Sequence, residues 1–159
     1  MKKLVAVENA RAVMTQALEW GVWKWLMEKK RVRSLADAAR AALDNLEMQV
    51  KLGWSNEYKL AYNQLVSENG DTKRVGRKSK GTSTKLGADG KVNAKVLAAV
   101  LKVKEADDDA YNAHEDAEEL FAEAERKMST SMAREGARKA LEAYDLHEAA
   151  IRKAEALAR

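Results

Sequence analysis

The only two histidines of this 159-residue chain lie in two copies of one short motif. The stretch AYNAHEDA contains His114, and it returns thirty-three residues later as AYDLHEAA, which contains His147. In each copy a glutamate directly follows the histidine, and imidazole nitrogens beside carboxylates are typical ligands of zinc and other transition metals. The weak metal-ligand candidates are therefore His114, His147, Glu115 and Glu148.

The spacing inside the motif argues against a metal site. Di-iron bundles use Glu-x-x-His, in which both ligands lie on one helix face. Here Tyr111 and Tyr144 occupy the glutamate position, and each glutamate points about 100° away from its histidine. The pair has three alternative uses: polar residues that fix the register of a helix pair, a pH switch in which facing imidazolium groups repel, or a metal site. We predict the first, with no cofactor.

A basic segment in the middle of the chain resembles a phosphate-binding loop only in part. The stretch GRKSKGT at residues 76–82 has two glycines at the P-loop interval, but its lysine precedes the second glycine and no hydrophobic strand leads into it. Its cations are suited to contact a nucleic-acid backbone, but the sequence favours the alternatives, a solvated linker or a segment folded onto the acidic helix at 105–125. The nucleic-acid candidates are Lys73, Arg74, Arg77, Lys78, Lys80 and Lys85, with a second cluster at Lys29, Lys30, Arg31 and Arg33.

Two further segments are candidates for binding another protein. Three of the four tryptophans lie in WGVWKWLM at 20–27, and at about 100° per residue they do not share one helix face. Either the protein's own helices surround this segment or part of it presents an aromatic anchor to a partner. Residues 105–125 hold ten acidic side chains and no basic one. The interface candidates are Trp20, Trp23, Trp25, Asp107, Asp108, Asp109, Glu118 and Glu119.

The composition is typical of long helices and excludes several classes of protein. Hydrophobic residues make up 46% of the chain, charged residues 34%, and proline is absent. The absence of cysteine excludes disulfides, thiolate nucleophiles and Cys-based metal sites. The apolar run after the first lysines is too short for a signal peptide, and no window reaches transmembrane length. We expect a cytoplasmic, non-enzymatic protein without a membrane partner.

The net charge of +4 conceals a segregation along the chain. Residues 70–91 carry 7 Lys and Arg against 2 Asp and Glu, whereas residues 92–159 carry 11 against 15. Together with the apolar periodicity this predicts an all-α chain in three parts. They are an N-terminal three-helix unit at 1–69, a basic Gly/Ser/Thr/Lys-rich loop or linker at 70–91, and a long antiparallel, coiled-coil-like helical hairpin at 92–159.

The three N-terminal helices are predicted from apolar residues at three- and four-residue steps. The first is expected from about Lys3 to Lys30. Ser34 is a suitable N-cap for the second, which extends to Gly53, and Ser55 is a suitable N-cap for the third.

The hairpin is predicted from a heptad pattern. Between residues 96 and 128, and again between 137 and 158, apolar and small residues advance in alternating steps of four and three. A turn at 129–131, with Ser131 as N-cap, places His114 opposite His147. Two alternatives stay open: a turn at Gly136, or one uninterrupted helix that keeps the histidines about 50 Å apart.

From these features we expect a non-catalytic helical protein that binds other protein chains or itself. The alternative is a nucleic-acid-binding accessory subunit that uses the basic loop, and the third possibility is a metal-binding hairpin at the two histidines.

Overall fold

The computed structural model describes residues 4–70 and 93–158. These residues form five α-helices, and none of them lies in a β-strand. The predicted all-α class is confirmed, and the last two helices pack along each other as the predicted hairpin. The predicted basic loop, from residue 71 onward, lies outside the described residues. The helices are α1 (Val5–Ala17), α2 (Val22–Leu52), α3 (Asn56–Gly70), α4 (Ala94–Lys127) and α5 (Thr130–Leu157).

The hairpin turns at residues 128 and 129. Met128 adopts the left-handed conformation with φ of 53°, which ends α4. The Ser129 hydroxyl then accepts a hydrogen bond of 3.2 Å from the Met132 N–H and caps α5. The predicted N-cap, Ser131, is therefore wrong by two residues, because the chain reverses within a single left-handed residue.

Small residues let α4 and α5 approach closely. Most positions of the two heptad runs are buried, and alanine is the commonest residue at these buried positions. At Gly136 the helices are so close that a β-carbon would lie 2.8 Å from the Phe121 ring. Gly136 is therefore a contact point inside α5, and the alternative turn at this residue is excluded.

The N-terminal chain breaks at a different place from the predicted one. Helix α1 ends at Ala17. Gly21, which is extended with φ of −89° and ψ of −178°, is the N-cap of α2. The Arg134 guanidinium fixes this break, because it donates hydrogen bonds of 2.7 and 3.2 Å to the Trp20 carbonyl. Ser34, the predicted cap of a second helix, lies instead inside the uninterrupted α2.

Two lesser boundaries follow the prediction. The α2 helix ends at Leu52, next to the predicted Gly53. The Ser55 hydroxyl accepts a hydrogen bond of 3.3 Å from the Tyr58 N–H at the start of α3, as predicted.

The N-terminal helices cover the hairpin. Helices α1 and α2 pack on α5, while α3 packs on α4. Helix α2 runs antiparallel to α4, since its Trp25 stacks on Phe121 near the hairpin turn at a ring distance of 5.8 Å, whereas its Lys51 reaches Asp107 farther away. The first turns of α2 therefore lie at the hairpin-turn end, and its last turns lie beside α3 at the far end. No helix in the described ranges combines the length and apolar character that a membrane crossing requires.

Candidate functional site

The two histidines face each other in the hairpin and connect it to α2. The distance from His114 Nε2 to His147 Nδ1 is 3.1 Å, and each residue is 5% exposed. On its other side, His147 Nε2 lies 3.0 Å from Glu47 Oε1. The predicted juxtaposition of the histidines is present, but their third partner comes from α2 and from neither copy of the repeated motif.

The protonation states of this group follow from its surroundings. Burial, the neighbouring His147 and Arg40 lower the pKa of His114 to about 3, so His114 is neutral near pH 7. Burial acts to raise the pKa of Glu47, but hydrogen bonds to His147 and Asp107, together with the Lys51 charge, lower it to about 2. An ionised Glu47 only accepts hydrogen bonds. His147 Nε2–H therefore donates to Glu47 Oε1, and one proton lies between the two facing nitrogens, His114 Nε2 and His147 Nδ1.

The polar chain continues from Glu47 toward α3 and α4. Lys51 Nζ lies 2.8 Å from both Glu47 Oε2 and Asp107 Oδ2. The Tyr62 hydroxyl donates a hydrogen bond to Asp107 Oδ2, and Lys51 Nζ also lies 3.9 Å from the centroid of the Tyr62 ring. One buried network of hydrogen bonds and ion pairs therefore links α2, α3, α4 and α5.

The pKa values of Glu47 and Asp107 move in opposite directions within this network. Burial and the neighbouring Glu47 raise the pKa of Asp107 to about 7, against the opposing effect of Lys51. The buried Asp107 Oδ1 has no hydrogen-bond partner among the described residues. A protonated Asp107 leaves one negative charge, that of Glu47, beside Lys51, which explains why two acidic groups tolerate burial beside one lysine.

The glutamates of the repeated motif point away from the histidines. Glu115 is 2.9 Å from the Arg40 guanidinium, and Glu148 forms an ion pair with Arg11. The tyrosines also differ: Tyr111 is 57% exposed, whereas Tyr144 is buried against His114. The two copies therefore lie in different surroundings, and within residues 4–70 and 93–158 no group of three or more ligand side chains is placed to hold a metal ion.

A groove opens where the polar network reaches the surface, at the far end of α2. Its volume is about 530 Å³, and Met48 and Leu52 form an exposed apolar edge along it. We call it the α2–α3 groove. Its lining residues are Asp44, Glu47, Met48, Lys51, Leu52, Trp54, Lys59, Tyr62, Asn63 and Asp107.

The three clustered tryptophans have three different surroundings. Trp25 is buried against Phe121 in the core, and Trp20 is partly buried with Lys24 Nζ 5.8 Å from the centre of its ring. Trp23 is 76% exposed, and Met27, one turn later, is 77% exposed. The protein's own helices therefore surround Trp25 but leave Trp23 exposed.

The predicted acidic face is largely neutralised by the protein itself. Asp108 forms an ion pair with Lys104, and Glu118 forms one with Arg40. Asp107 turns inward to Lys51. Only the exposed candidates Asp109 and Glu119 have no ion pair within the described ranges.

The structure describes four of the ten predicted nucleic-acid candidates, those on α2. Arg31 pairs with Glu28 at 2.6 Å and Arg33 with Glu125, while Lys30 is exposed and Lys29 half-buried. The loop candidates lie outside the described residues: Lys73, Arg74, Arg77, Lys78, Lys80 and Lys85.

Glu47, Lys51 and Tyr62 were not among the residues predicted from sequence. The sequence nevertheless contains a feature that indicates two of them. Glu47 lies four residues before Lys51 and between the apolar positions Leu43 and Val50 of the apolar stripe of α2. A charged residue inside an apolar stripe indicates a buried partner. The spacing gives no indication that this partner is a histidine one hundred residues later.

No protein-family model, no curated protein and no solved structure matches this chain. Its function is therefore inferred from its own surfaces and charges.

Proposed function

We propose that the protein is a non-catalytic helical assembly protein that binds another copy of itself through the first turns of α2. The observation that carries the proposal is the exposure of Trp23 and Met27, at 76% and 77%. Tryptophan is enriched among the residues that dominate binding energy at protein interfaces. Two large apolar side chains one helical turn apart form a compact anchor for a partner.

The charges around this anchor indicate the chemistry of the partner. At about 100° per residue, Lys24, Lys30 and Arg31 share a face of α2 with Trp23 and Met27. We call these five residues the Trp23 patch. Only Arg31 of the three cations has an ion pair among the described residues, with Glu28. The patch therefore fits an apolar surface with an acidic edge, and the chain itself carries acidic residues on α4 and in the α2–α3 groove.

The absence of catalysis is part of the proposal. It is supported by the arrangement of the polar network, in which His114, His147, Glu47 and Lys51 bind one another inside the bundle. A cytoplasmic location is also proposed, and the lack of cysteine supports it.

Sedimentation velocity tests the proposal with the full chain, from about 1 to about 200 μM, a range that covers micromolar dissociation constants. We expect concentration-dependent oligomers in the wild type. The double variant Trp23→Ala/Met27→Ala should weaken association by at least about 30-fold, the effect of losing an interface hot spot. A wild type that stays monomeric over the whole range would refute the proposal.

The matched control is Leu101→Ala, which removes a 38% exposed side chain from α4. It should assemble as the wild type does. Equal loss of assembly in this control and in the double variant would mean that general surface hydrophobicity, and not the Trp23 patch, drives association.

Nucleic-acid binding through the basic loop stays a prediction from the sequence. Fluorescence anisotropy with labelled DNA and RNA, comparing the full chain with a deletion of residues 72–90, tests it. Binding that requires the loop and falls steeply with salt would favour this alternative.

A further inference from the structure

We infer that the α2–α3 groove of one molecule receives the Trp23 patch of another. The inference rests on the proposed function, because it names the receiving surface for the same contact. Trp23 and Met27 lie near the start of α2, and the groove residues Met48 and Leu52 lie near its end.

The apolar part of the groove matches the apolar part of the patch. Met48 and Leu52 are 59% and 66% exposed, and they lie one helical turn apart, as Trp23 and Met27 do. The groove volume of about 530 Å³ lies within the range of pockets that enclose ligands. An indole ring that enters it contacts both apolar side chains and removes them from water.

The polar part of the groove offers one carboxylate to the cations of the patch. Glu47 and Asp107 are already paired with Lys51. Asp44 is mostly exposed, and its one ion-pair partner among the described residues is His147, at 3.5 Å. Asp44 is therefore the groove carboxylate that can pair with a cation of the patch.

The positions of the two surfaces limit the form of the assembly. Residues 23 and 48 are separated by about 37 Å along one straight helix, so the patch cannot reach the groove of its own molecule. At about 100° per residue the patch and the Met48–Leu52 edge lie on the same face of α2, so two molecules with antiparallel α2 helices exchange both contacts across a two-fold axis and close as a dimer. A contact made in one direction only is heterologous and generates rings or filaments.

A second groove, between α4 and α5, is a weaker match. Its volume is about 270 Å³, and its lining includes Asp109, Asp116, Glu142 and Leu146. It offers acidic groups, but it lacks an exposed pair of large apolar side chains. It therefore supplies a control.

Two blocked variants test the inference. The patch-blocked variant is Trp23→Ala/Met27→Ala. The groove-blocked variant, Met48→Lys/Leu52→Lys, replaces the apolar edge with charges that repel the patch, at exposed helical positions where lysine is well tolerated. Each variant alone should associate at least about 30-fold more weakly than the wild type, the effect of losing an interface hot spot. An equimolar mixture should form a 1:1 dimer and nothing larger, because it retains one intact patch and one intact groove.

The outcomes separate the two proposals. If the patch-blocked variant is monomeric while the groove-blocked variant assembles as the wild type does, the receiving site is elsewhere and the proposed function stands. If the patch-blocked variant assembles normally, the proposed function fails as well. A mixture of two monomeric variants that yields no dimer also overturns the inference. Far-ultraviolet circular dichroism verifies that each variant is folded.

A charge exchange provides an independent measurement. Asp44→Lys should weaken assembly at least threefold, and Lys24→Glu in the second copy should restore part of the loss. Asp109→Lys, in the groove between α4 and α5, makes the same charge change and should leave assembly unchanged. If Asp109→Lys weakens assembly more than Asp44→Lys does, the inference is wrong.

Discussion

Replacing Asp107 by asparagine should change how the stability of the protein depends on pH. Burial and Glu47 raise the pKa of Asp107 to about 7 in the folded protein, from an ordinary value of 3.8. An asparagine resembles the protonated acid, since its N–H group can donate to Glu47 and its oxygen can accept from Lys51 or Tyr62. The variant therefore keeps the hydrogen bonds of the protonated network and loses its titration.

The sign and size of the effect follow from proton linkage. Between pH 4 and pH 7 the folded protein holds a proton on Asp107 that the unfolded chain has released, so the contribution of Asp107 to the free energy of unfolding falls as the pH rises. The opposite contribution of His114, whose pKa is lowered, is the same in the wild type and the variant and cancels in their difference. About two pH units of this interval lie above pH 5, and each unit is worth about 1.4 kcal/mol. The wild type should therefore lose about 2–3 kcal/mol relative to Asp107→Asn between pH 5 and pH 8. Glu47, whose pKa is lowered from 4.5, contributes its own loss of stability only below this window.

Urea unfolding at pH 5 and pH 8, followed by tryptophan fluorescence and circular dichroism, measures this difference. The control is Asp108→Asn, which changes the next residue to the same side chain but alters an exposed ion pair with Lys104. Its stability relative to the wild type should vary by less than about 1 kcal/mol over the same range. If the free energy of unfolding of the wild type minus that of Asp107→Asn stays constant from pH 5 to pH 8, the raised pKa of Asp107 is refuted.

Two further substitutions test the hairpin. Gly136→Ala places a β-carbon 2.8 Å from the Phe121 ring, which Trp25 holds by stacking, so urea unfolding should show a loss of about 1–2 kcal/mol despite the better helix propensity of alanine. If Gly136→Ala is as stable as the wild type, α4 and α5 can move apart at this contact without a loss of free energy, and the prediction is wrong. Met128→Gly should raise the free energy of unfolding by about 0.5–1 kcal/mol, because φ of 53° is unfavourable for methionine and its side chain is mostly exposed. A lower melting temperature for this variant would contradict the assigned turn.

The sequence predicts the hairpin well because its determinants are local. The heptad pattern defines the contacting faces of α4 and α5, and the serine-rich break between the two runs locates the turn. Once the turn is placed, the opposition of His114 and His147 follows from counting residues. The exact cap was missed because a left-handed methionine leaves no signal in the sequence.

The first helix break was misplaced because a tertiary contact determines it. Ser34, preceded by four cations, has the appearance of a helix start, yet the buried residues Val32 and Ala39 hold that part of α2 against the hairpin. The actual break needs Arg134, more than one hundred residues later, to bind the Trp20 carbonyl.

The partners of the histidines were missed for a similar reason. Periodicity shows which face of α2 is apolar, but it does not show how far α2 slides along the hairpin. A shift of one turn would move Glu47 and Lys51 away from His147 and Asp107.

The dependence of α1 and α2 on α5 has a consequence for the order of events during synthesis. A ribosome completes α2 roughly a hundred residues before it completes α5, and at about 5 to 20 residues per second the interval lasts about 5 to 20 s. Over that time the apolar faces of the first two helices have emerged without the hairpin that buries them in the finished protein. The N-terminal helices therefore complete their packing only after the hairpin has left the ribosome, and until then their apolar faces are exposed to other molecules.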